Sequence, residues 1–323
     1  MARATERWGY GKRLWIKRDD LTGSVLTGNK IRKLEFIGAY ALAKGYRTLV
    51  TCGGVQSNHC RATALVAAQL GLECHLVLRA DERDAAATGN LLLDMLAGAT
   101  YEVLPAAEWG RQLKSTYRHL EEAFRTQGRP ALMIPTGGSD SLGVWGYISA
   151  AEELGRDLLE NDVTSAVVAV ATGSAGTQTG LTAGAAMFNL PLRVIGYAVC
   201  DDATWFNRRV ATDWASSVER WPSLPNIALV PETRDHSVGA GYGLANASTY
   251  ELIAELARLE GVVLDPVYTA KAFEGLLSDI QAGFYDGVDD IIFVHTGGVF
   301  GLFSHQEELM CAIRSVQPER RGH

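Results

Sequence analysis

Short runs of apolar and β-branched residues alternate with longer helical patterns along the chain. The pattern predicts strands at 48–52, 74–78, 131–135, 165–171, 193–199 and 290–294, and helices that include 61–70, 106–125, 142–157 and 247–259. Continuous apolar strands separated by amphipathic helices are typical of βαβ units, in which a parallel sheet is buried on both faces. The sequence therefore predicts an α/β fold.

Length and composition allow more than one folding unit. The chain has 323 residues, of which 47% are hydrophobic, so a large buried core is expected. No tandem repeat or low-complexity linker marks a boundary between units. We predict a small domain at 34–142, inserted into a large domain that 1–33 and 143–323 form together.

Charge and cysteine pattern narrow the class of protein. The formal net charge is −7, and no basic stripe is present to bind nucleic acid. No run reaches the roughly 18 apolar residues of a membrane helix, and the segment MARATERWGY lacks the apolar centre of a secretory signal. Five cysteines without a CxxC pair and histidines without ligand spacing favour reduced thiols in the cytoplasm and no metal site.

The first candidate for chemistry lies in the segment 17–36. Lys30 follows a Gly-Asn turn and begins a helical pattern that continues through Leu34. A covalent bond to an aldehyde requires an amine that can lose its proton, which lysine supplies and arginine does not. The alternative interpretation is a solvated surface lysine. Only the position of Lys30 between a tight turn and a helix start favours the chemical interpretation.

The second candidate is the segment 51–61, TCGGVQSNHCR. A strand ends at Cys52, two glycines turn the chain, and a helix is predicted to begin near Ser57 and Asn58. The free N–H groups of such a helix start can bind a carboxylate. Helix capping alone also explains serine and asparagine at these positions, and His59 taken singly is weaker evidence still.

The third candidate is the segment 172–180, TGSAGTQTG, which follows the predicted strand 165–171 directly. Small residues expose successive backbone N–H groups ahead of a helix, which suits a phosphate monoester. The segment lacks the lysine of a P-loop and the spacing of GxGxxG, so a nucleotide triphosphate or a dinucleotide is disfavoured. A glycine-rich turn without function is the alternative.

The fourth candidate combines LDPVYT at 264–269 with VHTGG at 294–298. Each segment places a hydroxyl residue at the end of an apolar run. Taken separately they are weak signals, because a tyrosine such as Tyr268 is more often packed in a core and a threonine such as Thr296 is more often a turn residue.

Together these segments resemble the fold-type II pyridoxal-phosphate enzymes, and more closely the family of D-cysteine desulfhydrases and 1-aminocyclopropane-1-carboxylate (ACC) deaminases. The similarity runs from about Leu14 to about Phe303, and its ordered motifs are WIKRDDLTG, GNKIRKLEF, QSNH, TGSAGT, GYG, LDPVY and HTGG. The resemblance implies two open, twisted, mostly parallel sheets flanked by helices, as in the tryptophan synthase β subunit. It also implies pyridoxal 5'-phosphate as cofactor, a small amino acid as substrate and a homodimer.

The resemblance also implies roles for single residues. Lys30 would form the Schiff base and carry the proton, with Ser57 and Tyr268 as further catalytic residues. The substrate carboxylate would contact Ser57 and His59, and the substrate would face Tyr242 and Tyr268 as well as Asn58. Asn58 would also bind the phenolic oxygen of the cofactor, and either Thr269 or Thr296 would lie near its pyridine nitrogen. The phosphate would be bound by Gly173, Ser174, Ala175, Gly176 and Thr177.

The residue after the DPVY tyrosine separates two reactions within that family. The deaminases have glutamate there, whereas this chain has Thr269, a neutral residue that does not stabilise a protonated pyridine. A weaker electron sink suffices when a good leaving group is present. We therefore predict β-elimination, with D-cysteine converted into pyruvate, hydrogen sulfide and ammonia. The alternatives are ACC deamination, L-cysteate sulfo-lyase activity, a cofactor-binding pseudoenzyme and a dinucleotide-dependent oxidoreductase.

Overall fold

The computed structural model describes residues 1–80 and 87–316. This part of the chain contains nine β-strands and eleven α-helices. The strands are β1 (Arg13–Lys17), β2 (Thr48–Gly54), β3 (Glu73–Ala80), β4 (Thr100–Pro105), β5 (Ala131–Met133), β6 (Ala166–Thr172), β7 (Leu192–Ala198), β8 (Glu232–Arg234) and β9 (Asp290–Val294). The helices are α1 (Ala2–Trp8), α2 (Lys30–Ala43), α3 (Asn58–Gln69), α4 (Gly89–Leu96), α5 (Trp109–Thr126), α6 (Val144–Glu160), α7 (Gly176–Met187), α8 (Ala203–Arg220), α9 (Ala247–Glu260), α10 (Thr269–Gln281) and α11 (Gln306–Ser315).

The strands form two sheets in which every pairing is parallel. One sheet has the order β1-β9-β6-β7-β8, and the other has the order β4-β3-β2-β5. In the larger sheet, Val168 and Val170 pack against α6 and α7, whereas Val167 and Ala169 pack against α9 and α10. Both faces are thus covered by helices, which explains why β6 is apolar along its whole length.

All six strands predicted from the sequence are present, and the predicted helices correspond to α3, α5, α6 and α9. The two-sheet α/β architecture is therefore confirmed. The strands that the pattern did not reveal are β1, β4 and β8, and each lies at the edge of a sheet. An edge strand keeps polar side chains toward solvent, so it lacks a continuous apolar run. Within the described residues, no helix has both the length and the apolar content that a bilayer crossing needs.

The two sheets are separate in sequence. All strands of the four-stranded sheet lie within 34–142, and all strands of the five-stranded sheet lie outside it. Helices α2 and α6, at the two proposed boundaries, nevertheless pack closely, since a Cβ on Gly146 would lie 2.2 Å from the carbonyl oxygen of Arg32. The division into a domain of 1–33 with 143–323 and a domain of 34–142 stays a prediction.

Candidate active site

A cavity of about 220 Å³ lies in the cleft between the two sheets. Its wall is formed at the carboxyl ends of parallel strands, where open α/β folds bind ligands. The four-stranded sheet contributes Gly53 and Arg79, and the five-stranded sheet contributes Thr172. The residues singled out from the sequence that line the cavity are Lys30, Ser57, Asn58, His59, Gly173, Ser174, Ala175, Thr177, Tyr242, Tyr268 and Thr296.

Lys30 is the first residue of α2 and follows a turn that requires glycine. Gly28 has a φ of +105°, and a Cβ at this position would lie 2.8 Å from the carbonyl oxygen of Thr296. The main-chain N–H of Asn29 donates to the same oxygen at 3.1 Å. The turn is therefore held against the loop that follows β9, and Lys30 is at the cavity wall.

Lys30 is half-buried as a whole residue, and burial of its amine lowers the pKa from 10.5 to about 8. A lysine of this kind is partly deprotonated at neutral to slightly alkaline pH, which is the form that attacks a carbonyl. Two other buried lysines, Lys33 and Lys271, do not line the cavity. Lys271 donates to the carbonyl oxygens of Val238 and Gly241 at 2.8 and 2.7 Å, so it stabilises the loop before Tyr242.

Lys33 is fully buried one helical turn after Lys30. Its Nζ donates to the carbonyl oxygen of Gly137 and to Ser139 Oγ, both at 3.1 Å. Burial and the nearby Lys30 amine lower the pKa of Lys33 well below its usual value. Lys33 and Ser139 were not predicted as site residues from the sequence. The spacing of three residues from Lys30 was the available signal, because it places both lysines on one face of a helix.

The loop between β6 and α7 has the geometry of an anion cradle. Ala175 has a φ of +66°, and α7 begins at the next residue, Gly176. The first N–H groups of α7 have no hydrogen-bond partner within the helix. The Gly176 N–H donates to Ser139 Oγ at 3.2 Å, and Ser139 and Ser174 share a hydrogen bond of 2.9 Å between their hydroxyls. A Cβ on Gly176 would lie 2.4 Å from Ser139 Oγ and 2.7 Å from Lys33 Nζ. Gly176 thus lies behind the wall, where a side chain does not fit.

The N-terminus of α3 forms the opposite wall. Ser57 caps the helix, with its Oγ accepting from the Cys60 N–H at 3.2 Å. Asn90 Nδ2 donates to Asn58 Oδ1 at 3.1 Å and to the Gln56 carbonyl oxygen at 2.9 Å. This network fixes the Asn58 amide so that its NH₂ group is left for a ligand.

His59 is buried and neutral, because burial and the nearby lysines lower its pKa well below 6.5. Thr51 Oγ donates to the Ile134 carbonyl oxygen at 3.1 Å, so its hydrogen is used there. His59 Nε2, 2.8 Å from Thr51 Oγ, is then the donor in that contact. Among the described residues, His59 Nδ1 has no partner and remains an acceptor.

Two tyrosines connect the anion cradle to the outer part of the cavity. Tyr268 lies beneath Gly173, since a Cβ there would meet its Cε1 at 3.0 Å. The hydroxyls of Tyr242 and Tyr268 are hydrogen-bonded, and the rings meet edge to face at 5.8 Å. Burial raises the pKa of both hydroxyls above 10, so both are protonated at neutral pH.

The two threonines considered for the pyridine nitrogen have different surroundings. Thr296 lines the cavity directly after β9. Thr269 is fully buried, does not line the cavity and donates from Oγ to Asp265 Oδ1 at 2.7 Å. The Asp265 carboxylate also accepts N–H donors from Val267, Tyr268 and Thr269 at 2.9 to 3.0 Å.

Other cavity residues were not singled out from the sequence. Arg79 near the end of β3 and Trp109 at the start of α5 come from the smaller sheet, and Cys200 and Asp201 follow β7. Arg79 directly follows the predicted strand 74–78, and a charged residue at the carboxyl end of such a strand was the signal for it.

The site has one amine of lowered pKa at the cavity wall and, close by, a loop in which a Cβ on Gly176 would lie 2.4 Å from Ser139 Oγ. An amine that bonds an aldehyde and a helix start that binds a phosphate fit the aldehyde and the phosphate group of pyridoxal 5'-phosphate. The fold and the site therefore define a two-sheet α/β enzyme of the class that uses this cofactor.

Comparisons with known proteins agree. A family model described as pyridoxal-phosphate dependent enzyme matches residues 4–297. The mitochondrial bifunctional D-cysteine desulfhydrase/1-aminocyclopropane-1-carboxylate deaminase of Arabidopsis thaliana is 37% identical, across 93% of this chain and 75% of the plant protein. The D-cysteine desulfhydrase of Yersinia pestis (strain Pestoides F) is 38% identical, and the match covers 93% of this chain and 90% of the Yersinia protein. A solved structure of an ACC deaminase homologue has a TM-score of 0.86 and 33% sequence identity. The match covers 96% of this chain and 91% of the homologue's chain.

This chain belongs to the family of pyridoxal-phosphate dependent enzymes. The resemblance to D-cysteine desulfhydrases and ACC deaminases is confirmed, and so are the fold-type II architecture and the cofactor.

Proposed function

We propose that this enzyme eliminates the β-substituent of a small amino acid, converting D-cysteine into pyruvate, hydrogen sulfide and ammonia. Bound pyridoxal phosphate supplies the electron sink for this chemistry. The choice of elimination rests on neutral residues at both candidate positions, Thr269, where the resemblance implies glutamate in the deaminases, and Thr296, which lines the cavity. The D-cysteine desulfhydrase of Yersinia pestis supports the choice of substrate.

Lys30 would hold the cofactor through a covalent bond from its amine. With substrate bound, the Lys30 amine would accept the proton from Cα of the substrate. Its position at the cavity wall and its pKa of about 8 suit both tasks, because a base near the working pH accepts and returns a proton readily. The retained and accessible Lys30 also argues against a cofactor-binding pseudoenzyme.

The loop from Gly173 to Thr177 would bind the phosphate through the N–H groups at the start of α7, except that the Gly176 N–H is already used by Ser139 Oγ and Gly176 does not line the cavity. Lys33 and Ser139 support this loop from behind through the Ser139 hydroxyl. Ser174→Asp is the appropriate test of this assignment, since a side chain on Gly176 would collide with Ser139 whatever its charge.

Asn58 donates from its amide to the phenolic oxygen of the cofactor, since its Oδ1 already accepts from Asn90. The substrate carboxylate binds at the start of α3, beside Ser57. His59 contributes less to carboxylate binding than the resemblance implies, because its neutral Nδ1 is an acceptor. Tyr242 and Tyr268 would face the substrate with neutral hydroxyls that can donate or accept a hydrogen bond.

Thr296 is the better candidate for the partner of the pyridine nitrogen. It lines the cavity, whereas the Thr269 hydroxyl is engaged by Asp265. Both residues are neutral, so the argument for a weakly protonated ring does not depend on which of them makes the contact. The Asp265 carboxylate is occupied by backbone donors and so does not take the role of glutamate.

The experiment is a substrate screen on the purified enzyme with cofactor. We expect α-keto acid and sulfide from D-cysteine, and little 2-oxobutanoate from ACC. L-cysteine, L-cysteate and 3-chloro-D-alanine complete the panel and determine stereochemistry and leaving group. Opening of the cyclopropane as fast as desulfuration of D-cysteine would overturn the proposal. ACC deamination is the second candidate, favoured by the bifunctional name of the Arabidopsis relative.

Three further features are proposed from the sequence pattern and the family resemblance. They are the division into domains of 1–33 with 143–323 and of 34–142, a homodimer, and a cytoplasmic location. Limited proteolysis tests the first, and sedimentation equilibrium tests the second. Fractionation of the producing cell tests the third.

A further inference from the structure

Arg61 is a fully buried arginine on α3 that contacts the turn carrying Lys30. Its Nη2 donates to the main-chain carbonyl oxygen of Thr27 at 2.6 Å, and Thr27 precedes Lys30 by three residues. Hydrogen bonds from a charged donor are shorter and stronger than those between neutral groups. The contact therefore holds the start of the Lys30 turn against α3.

The rest of the Arg61 guanidinium has few partners. Among the described residues, its Nε and Nη1 have no hydrogen-bond partner, and neither does the carboxyl group of the buried Asp94 on α4. Burial lowers the pKa of Arg61 to about 10 and raises the pKa of Asp94 to about 8, so at neutral pH the arginine is charged and the carboxyl group is protonated. The guanidinium carbon is 4.9 Å from the centre of the Phe300 ring, within the range of a cation–π contact.

A buried charge with so few partners costs free energy, and a buried methionine would avoid this cost. Stability of the fold therefore does not account for an arginine at position 61. What the arginine provides, and an apolar side chain lacks, is the bond to the Thr27 carbonyl oxygen. This comparison points to a role in the placement of Lys30.

Helix α3 also carries the site that we propose for the substrate carboxylate. Ser57 is the N-cap of α3, four residues before Arg61, so the two residues lie one turn apart on the same face of the helix. The start of α3 thus determines where the carboxylate is bound, and its next turn determines where the Lys30 turn is held. Both positions are fixed with respect to one helix.

We propose that Arg61 is a positioning residue, which holds the Lys30 amine at the distance from the Ser57 carboxylate site that transfer of the Cα proton requires. The inference rests on the roles proposed above for Lys30 and Ser57. Arg61 itself does not line the cavity, so it acts through the Lys30 turn and not by touching cofactor or substrate. Its loss should slow the reactions of the Lys30 amine and leave the binding of ligands that do not react with this amine unchanged.

The first arm of the test needs no turnover. Pyridoxine 5'-phosphate has an alcohol in place of the aldehyde, so it binds without forming a bond to Lys30. Arg61→Met should leave its dissociation constant for the cofactor-free enzyme within about twofold of wild type, measured by isothermal titration calorimetry. The same variant should lower the rate constant for covalent capture of saturating pyridoxal 5'-phosphate about tenfold, measured by stopped-flow absorbance. Capture is measured about one pH unit above the pKa of Lys30, where the amine is mostly neutral.

Two further variants complete this arm. Arg156→Met removes an exposed arginine from α6 and should match wild type in both measurements. Arg61→Lys keeps a charged donor with a shorter reach, so its capture rate should lie between those of wild type and Arg61→Met. An unchanged capture rate in Arg61→Met, or an equal weakening of capture and of analogue binding, would overturn the proposal. If Arg61→Met does not fold, the same two measurements on Arg61→Lys decide in its place.

The second arm measures turnover of D-cysteine per covalently bound cofactor. Arg61→Met should lower kcat about tenfold and leave KM within about twofold of wild type, because the carboxylate site at Ser57 is retained. A rise in KM with unchanged kcat would assign Arg61 to substrate binding and contradict the proposal. If the wild type releases no keto acid from D-cysteine, the lyase function fails, whereas the first arm still decides on the placement of Lys30.

Discussion

The side-chain amide of Asn29 donates a hydrogen bond to Thr177 Oγ at 3.0 Å. Asn29 precedes Lys30, and Thr177 is the second residue of α7. The bond therefore ties the turn that carries the reactive amine to the loop that we propose for the phosphate. The contact joins residues 148 positions apart and so keeps the groups that we propose for the aldehyde and the phosphate near each other, as the neighbouring positions of these two groups on the cofactor ring require.

This contact predicts energetic coupling between the two positions. Asn29→Ala and Thr177→Val should each weaken cofactor affinity, and the double variant should lose less than the sum of the two. We expect a coupling energy of about 1 kcal/mol from a double-mutant cycle on the dissociation constant. Strict additivity would show that the two ends of the site are bound independently.

The covalent assignment predicts different effects for two neighbouring lysines. Lys30→Ala should abolish keto acid release and the absorbance of the covalently bound cofactor. Lys33→Met should keep the covalent bond but weaken cofactor binding, because Ser139 loses a donor. Borohydride reduction followed by peptide mapping should place the modified residue at Lys30. Label on Lys33 or Lys271 in the wild type would refute the assignment.

The pKa of about 8 at Lys30 predicts how cofactor capture depends on pH. The neutral amine attacks the aldehyde, and its fraction rises about tenfold per pH unit below the pKa and then levels off. The rate constant for reconstitution of the cofactor-free enzyme should therefore rise up to pH 8 and flatten above it. Stopped-flow absorbance measures this rate. A rise that continues to pH 10 would indicate a lysine of ordinary pKa.

The surroundings of the two threonines predict distinct phenotypes. Thr296→Glu should shift the cofactor spectrum toward a protonated ring, because it places a carboxylate on the cavity wall. Thr269→Val should instead lower the unfolding midpoint, by removing a buried hydrogen bond worth about 1 kcal/mol, with little spectral change. Spectra and urea unfolding of both variants provide the comparison. Exchanged phenotypes would assign the ring contact to Thr269.

The raised pKa of Asp94 predicts that the free energy of unfolding depends on pH. Asp94 is buried on α4, and burial raises its pKa from 3.8 to about 8. Between these values the folded state holds a proton that the unfolded chain has released, so the free energy of unfolding falls as pH rises. Asp94→Asn removes this dependence. Relative to wild type, the variant should gain up to about 1.4 kcal/mol per pH unit in urea titrations at pH 5, 6.5 and 8. If the free energies of unfolding of variant and wild type differ by the same amount at every pH, the raised pKa of Asp94 is contradicted.

Parts of the site were predictable because they are local. The turn at Gly28 and Asn29, the helix start at Lys30, the capped helix after Ser57 and the loop before Gly176 all depend on neighbouring residues. The buried strands were predictable because a strand covered on both faces must be apolar throughout. The sequence therefore determined the fold class, the reactive lysine as a candidate and the order of the segments around it.

The tertiary structure alone decided which side chains meet. Thr269 and Thr296 are equivalent as sequence signals, and only packing turns one toward Asp265 and leaves the other at the cavity. Arg79 and Tyr242 are far apart in the chain, and only the approach of the two sheets brings them to 5.5 Å. Local sequence determines backbone conformation within a few residues, whereas such contacts depend on how whole layers are packed. The specificity of the site therefore comes from the arrangement of the two sheets.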